Sequence, residues 1–194
     1  MNKRVILITG TPCIGKTTVS KALALALDAH YVNLTELALK ENLVLGIDEE
    51  RDSTIIDETA MKREIEKIIT QCDRKNVIID GHYAALVAGR DVSYVFVLRR
   101  NPIELKKIME GIGFAGRKMW ENLASEILDV CLIDALENHV AEKVCEIDIS
   151  HKRTAEVVSE IMAVLDGHRK CSVGTVDWLG MLESQGVLDE VLKI

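Results

Sequence analysis

Two hydrophobic periods alternate along this chain. Short β-branched runs at residues 4–9, 29–33, 76–80, 92–100 and 143–150 read as buried strands. Between them lie longer stretches in which apolar residues recur every three or four positions, the mark of a helix with one buried face. "KTTVSKALALAL" follows the first strand, and "DETAMKREIEKIITQC" sets Met61, Ile65, Ile68 and Ile69 on one helical stripe. "NPIELKKIME" begins with asparagine as cap, Pro102 in the first turn and Glu104 as capping partner. "RKMWENLASEILDVCLIDALENHVA" reads as the longest helical stretch, and "TAEVVSEIMAVLDG" as a last crossover helix closed by glycine. Asn33 and Glu36 form a capping box for a helix after the second strand.

Glycine and acidic residues interrupt the pattern at "ENLVLGIDEERDSTIIDE", and Gly111, Gly113 and Gly116 break it again. Strands alternating with helices predict an α/β protein of three layers, a five-stranded parallel sheet with helices on both faces. The expected organisation is a core over residues 1–167 and a tail over 168–194 of one or two short amphipathic helices.

Composition narrows the setting. With 194 residues and 48% hydrophobic composition, the chain can bury one full core. No apolar run approaches the roughly 18 residues of a membrane span, and the N-terminus enters its first strand without a signal peptide, so a cytoplasmic protein without a membrane partner is expected. The five cysteines are odd in number and never spaced as CxxC, which predicts reduced thiols and no zinc. A net charge of -7 argues against unaided, sequence-independent nucleic-acid binding.

The chemistry concentrates where the first strand meets the first helix. Gly10, Thr11, Pro12, Cys13, Ile14, Gly15, Lys16 and Thr17 satisfy GxxxxGK[ST] in the required strand-to-helix position. Backbone N–H groups in such a loop converge on an anion, reinforced by the helix dipole. Lys16 is then placed for the β- and γ-phosphates, Thr17 for Mg²⁺ and Thr18 for the α-phosphate. Cys13, beside helix N–H groups and a lysine, is open to a lowered pKa, against the plainer reading of a small side chain in a glycine's place.

A second cluster lies in "IIDGHYAAL". Asp80 ends a strand at the carboxyl edge of the sheet, where α/β proteins bind ligands, and fits the carboxylate that positions Mg²⁺ through water. His82 follows as a candidate to orient a nucleophile or sense the γ-phosphate. The bland alternatives are a turn-capping aspartate and a structural histidine. Arg51, nearly alone among acids, is a candidate for an acceptor's phosphate, or else a surface residue paired with Glu49, Glu50 or Asp52. Trp120 and Trp178 sit in amphipathic stretches where packing is the ordinary reading. No Asn-Lys-x-Asp motif is present, which disfavours a GTPase.

Together "GTPCIGKTT", "GIDEERDSTIIDETAM", "IIDGHYA", "VFVLRRNP" and "GFAGRKMWENLASEI" resemble the atypical adenylate kinase family in its archaeal form, over residues 4–165. The resemblance implies an adenylate-kinase-like core with a short cover for the nucleoside monophosphate (NMP) at about residues 33–57 and a lid at about 111–121. It implies ATP and AMP as substrates giving two ADP, with Mg²⁺, and ATP hydrolysis as a second activity. It further implies work in small-subunit ribosomal RNA maturation with a small-subunit ribosomal protein as partner, any rRNA contact being indirect. By the same resemblance, nucleotide contacts fall on Cys13, Gly15, Lys16, Thr17 and Thr18, and the Asp-x-His pair on Asp80 and His82.

Two departures stand out. The family usually has glycine at position 13, and its lid usually carries an Arg-Gly-Tyr turn where this chain reads Ile112-Gly113-Phe114. The expected substitute for the lid arginine is Arg117, with Arg99 and Arg100 as alternatives. The competing readings are a metabolic kinase for another small acceptor and a nucleotide-dependent assembly ATPase with vestigial kinase chemistry.

Overall fold

A computed structural model describes residues 3–48, 53–81 and 87–192. Five strands form one parallel sheet: β1 (Arg4–Thr9), β2 (His30–Asn33), β5 (Asn76–Asp80), β6 (Tyr94–Arg99) and β7 (Val144–Asp148), in the spatial order β2-β5-β1-β6-β7. The expected sheet is therefore present, with every strand near its predicted place.

Side-chain alternation along β1 divides the core. Val5 and Leu7 face one side, against Leu37 of α2 (Leu34–Lys40), Met61 and Ile65 of α3 (Glu58–Gln71) and Leu132 of α6 (Val130–Asn138). Ile6 and Ile8 face the other, against Val19 and Leu23 of α1 (Lys16–Ala26), Leu105 of α4 (Pro102–Gly111), Met119 of α5 (Gly116–Ile127) and Ile161 of α7 (Thr154–Leu165). Both faces of the strand are buried, as expected for a parallel sheet.

The structure departs from the bare sequence pattern in three places. The acidic interruption is an antiparallel hairpin of β3 (Val44–Asp48) and β4 (Ser53–Ile56), separate from the main sheet. The longest helical stretch breaks at Asp129, which takes a left-handed conformation (φ 59°) between α5 and α6. Its side chain pairs with Arg99, a contact that a continuous helix need not supply.

The cysteines supply the third departure, a correction to the expected reduced thiols. Cys145 of β7 and Cys171 are joined in a disulfide, with Cα atoms 4.5 Å apart, while Cys13, Cys72 and Cys131 are free. The pairing follows from the path of the chain after α7, which runs beside β7 so that the Glu146 N–H donates to the Ser172 carbonyl at 2.9 Å. Beyond it, α8 (Trp178–Gln185) and α9 (Leu188–Val191) pack Leu182 and Val191 against Ile127 at the end of α5.

Candidate active site

The loop between β1 and α1 is shaped by steric necessity. At Gly10 (φ 137°) a Cβ would lie 2.5 Å from the Leu98 carbonyl oxygen. Gly15 (φ 105°) caps α1, whose first turn carries neither a capping side chain nor an acidic residue. The first N–H groups and the positive end of the dipole are thus left for an external anion. Cys13 is left-handed (φ 69°), which explains in backbone terms why glycine suits that position.

Lys16 folds back over its own loop, donating to the Gly10 carbonyl at 2.7 Å and the Thr11 carbonyl at 2.8 Å. Burial pushes its pKa down, opposed by the neighbouring thiols Cys131 and Cys13 and the carboxylates Asp80 and Glu126. The Cys13 thiol has its pKa raised, because burial outweighs the pull of Lys16 and Lys118, so the lowered value that the sequence allowed is not realised.

Opposite the loop, Asp80 is 1% exposed at the end of β5. Sheet register sets it beside Ile8 of β1 and Asn33 of β2. Its Oδ2 accepts hydrogen bonds from Thr17 Oγ1 at 2.8 Å, Tyr31 OH at 2.9 Å and Asn33 Nδ2 at 3.1 Å. Asn33 also caps α2, accepting from the Glu36 N–H at 2.9 Å, so one residue both starts a helix and orients the carboxylate. Burial, aided by the Asp80 carboxylate, pushes the Tyr31 hydroxyl up to about 12.

The hard oxygens of Thr17 and Asp80 suit Mg²⁺, which takes one or two protein oxygens and completes its shell with water and substrate phosphates. No cluster of three or more His, Cys, Asp or Glu side chains able to hold a metal occurs among the described residues.

A groove of about 210 Å³ runs from Gly15 and Thr18 past Arg100 to Ile149, Lys152 and Val157. Arg100 Nε donates to the Ile14 carbonyl at 3.1 Å, and its side chain pairs with Glu104. An apolar cavity of about 160 Å³ lies between α2 and the hairpin, lined by Leu34, Ala38, Val44 and Ile56 among others.

Gly10, Cys13, Gly15, Lys16, Thr17, Thr18 and Asp80 are thus gathered at one edge of the sheet. Arg117 stands in the first turn of α5 with its side chain 63% exposed, paired with Glu121 at 2.7 Å. Arg99 is buried among carboxylates, which leaves Arg100 as the arginine lying along the loop. Arg51 and His82 lie outside the described residues.

Sequence reasoning assigned no site role to Tyr31 or Asn33. Their signal was available: they are alternate residues at the end of a strand that aligns with Asp80. Cys131, beside Lys16 and Thr11, had none, because the turn at Asp129 brings it there.

Residues 6–129 match a family described as AAA domain. Over nearly the full length the chain is similar to proteins named "Putative adenylate kinase". That of Saccharolobus solfataricus is 37% identical over 190 residues, covering 98% of this chain and 95% of the relative, so the match extends into the tail. That of Methanocaldococcus jannaschii is 38% identical, covering 89% and 92%. Among solved structures, a shikimate kinase from Bacteroides thetaiotaomicron superposes with a TM-score of 0.59 at 14% identity, covering 84% of this chain and 98% of that one. A gluconokinase from Sinorhizobium meliloti gives 0.54 at 15% identity, covering 86% and 94%. These structures share the fold of the chain.

Proposed function

The chain belongs to the family of archaeal proteins named putative adenylate kinase, and on that premise we propose that it is a nucleoside monophosphate kinase converting ATP and AMP into two ADP. The observation that carries this reading is the pairing of Thr17 with the buried Asp80 directly opposite the Lys16 loop. An oxygen of the acceptor's phosphate attacks the γ-phosphorus of ATP, and the bond from that phosphorus to the β–γ bridging oxygen breaks.

The chain's own residues supply position and charge. Loop N–H groups and Lys16 hold the β- and γ-phosphates, and Thr17 and Asp80 are the residues that would hold Mg²⁺. Mg²⁺ bound there supplies charge neutralisation on the phosphate oxygens. Tyr31 and Asn33 lock the Asp80 carboxylate, so little reorganisation is needed during transfer. Arg100 and Lys152 flank the groove that receives the donor nucleoside, and the cavity under the hairpin takes the acceptor's base. His82 orients the acceptor, Arg51 meets its phosphate, and Arg117 adds lid charge.

ATP hydrolysis as a second activity, and work in small-subunit rRNA maturation beside a ribosomal protein in the cytoplasm, are part of the same proposal, supported by the motif resemblance. One observation favours the assembly-ATPase alternative. Ile112, 61% exposed at the turn between α4 and α5, stands where the resemblance calls for a cation.

The test is ADP formation from ATP and Mg²⁺ with and without AMP. AMP is expected to accelerate it, and Lys16→Ala to lower the rate by about a hundredfold or more. A wild-type protein that binds no ATP sinks the proposal. Hydrolysis that AMP leaves unchanged moves the assignment to the assembly ATPase, and an active His82→Ala removes that residue's role.

A further inference from the structure

The penultimate residue of the motif "ENLASEI", Glu126, is a carboxylate that the phosphoryl-transfer scheme does not use. Glu126, 1% exposed near the end of α5, is where four segments of the chain meet. Its Oε2 accepts from Thr11 Oγ1 at 2.6 Å. Its Oε1 accepts from Arg99 Nε at 3.0 Å, the Arg100 N–H at 2.9 Å and Trp178 Nε1 at 3.0 Å. Thr11 belongs to the phosphate-binding loop, and its carbonyl is one of the two that hold Lys16. Trp178 belongs to the C-terminal tail.

Charge counting explains why these ends are coupled. Among the described residues, Arg99 is the guanidinium that ion-pairs with Glu126, Glu146 and Asp129, three carboxylates to one cation in a largely buried network. The surplus is satisfied by N–H and O–H donors, because a buried carboxylate without enough donors is costly. The tail provides several of them: Trp178 to Glu126, and the Thr175 N–H at 2.7 Å and Oγ1 at 3.0 Å to Glu146 Oε2. The loop provides Thr11. Tail and loop thus donate to the same carboxylate, Trp178 to one oxygen and Thr11 to the other.

We infer that Glu126 is a positioning residue for the phosphate-binding loop and that Thr175 and Trp178 form the far end of the same strut, making the C-terminal tail part of the nucleotide site. The inference rests on the nucleotide-binding reading of the loop. Trp178, which reads from sequence as packing, is then the donor that fixes one Glu126 oxygen so that the other can hold Thr11.

The experiment uses Trp178→Phe, which keeps an aromatic ring but deletes the N–H, and Thr11→Val, which deletes only the hydroxyl. Amide hydrogen exchange in the nucleotide-free protein is expected to speed up at residues 10–16 in Trp178→Phe by about threefold or more, with strands β1 and β5 unchanged. A purely structural loss would accelerate the strands as well. Calorimetric ADP affinity is expected to weaken by about three- to tenfold in each single variant. The double variant is expected to be no worse than the poorer single, since both act through one carboxylate. Loop exchange unchanged in folded Trp178→Phe, or a double effect equal to the product of the singles, overturns the strut. If Trp178→Phe does not fold, Thr175→Val on the same network is judged by the same criteria. Wild-type protein that binds no ADP refutes the kinase proposal, while the exchange comparison still decides the strut.

Discussion

Cys13 shows how one residue can be legible in sequence for the wrong reason. Its position in the loop motif marks it as an oddity of chemistry, whereas the structure makes it one of conformation, a non-glycine residue at φ 69° with a thiol held protonated by burial. Cys13→Gly is expected to keep ADP affinity. Cys13→Val, which forces a β-branched side chain into the left-handed region at a cost of about 1–2 kcal/mol, should weaken it by about tenfold. Equal affinity of the valine variant by calorimetry would show that the left-handed turn is not required for binding.

Tyr31 carries a pH signature of the same site. Its hydroxyl titrates near 10 in the unfolded chain and at about 12 in the fold. Between those values the folded state holds a proton that the unfolded state has released, so this residue's contribution to stability falls as pH rises across the window. The stability gap between wild type and Tyr31→Phe in urea unfolding should therefore shift towards the phenylalanine variant between about pH 9 and pH 11. A gap that stays constant would mean that Tyr31 is not buried against Asp80.

At the scale of elements, the parallel sheet was readable because buried strands are continuous apolar runs and crossover helices keep one periodic face. Asp80 was readable with it, since a strand's last residue lies at the ligand edge by geometry alone. The β3–β4 hairpin was not. Its strands are short and acid-flanked, and they leave Leu45, Ile47 and Ile55 exposed, so no buried alternation marks them. The break at Asp129 was equally silent, because an aspartate interrupts a helix here only by pairing with Arg99, an interaction 30 residues distant. Arg99 itself read as a spare cation for the lid, and the structure spends its charge on Glu126, Glu146 and Asp129 instead.

Across the whole molecule, what local pattern could not express is how the tail closes against the core. The contacts that carry it past β7 and onto α5 are remote in sequence: Ser172 on Glu146, Thr175 on the same carboxylate, Trp178 on Glu126, and Leu182 on Ile127. The Cys145–Cys171 bridge ties this segment to β7 across a separation of 26 residues. Closing a loop of that length removes unfolded-state entropy worth about 3 kcal/mol. For a chain of this size the change corresponds to a melting temperature about 6–12 °C higher.

Thiol titration of the denatured, unreduced protein should count three free cysteines, Cys13, Cys72 and Cys131. Reductant should lower the melting temperature of the wild type but not that of Cys171→Ser, which starts at the lower value. Five titratable thiols together with a melting point indifferent to reductant would mean that the tail is held by its hydrogen bonds and apolar contacts alone. If the bridge forms as described, reduction should also loosen the segment leading to Trp178, and ADP affinity should fall in the reduced wild type by the same route as in Trp178→Phe.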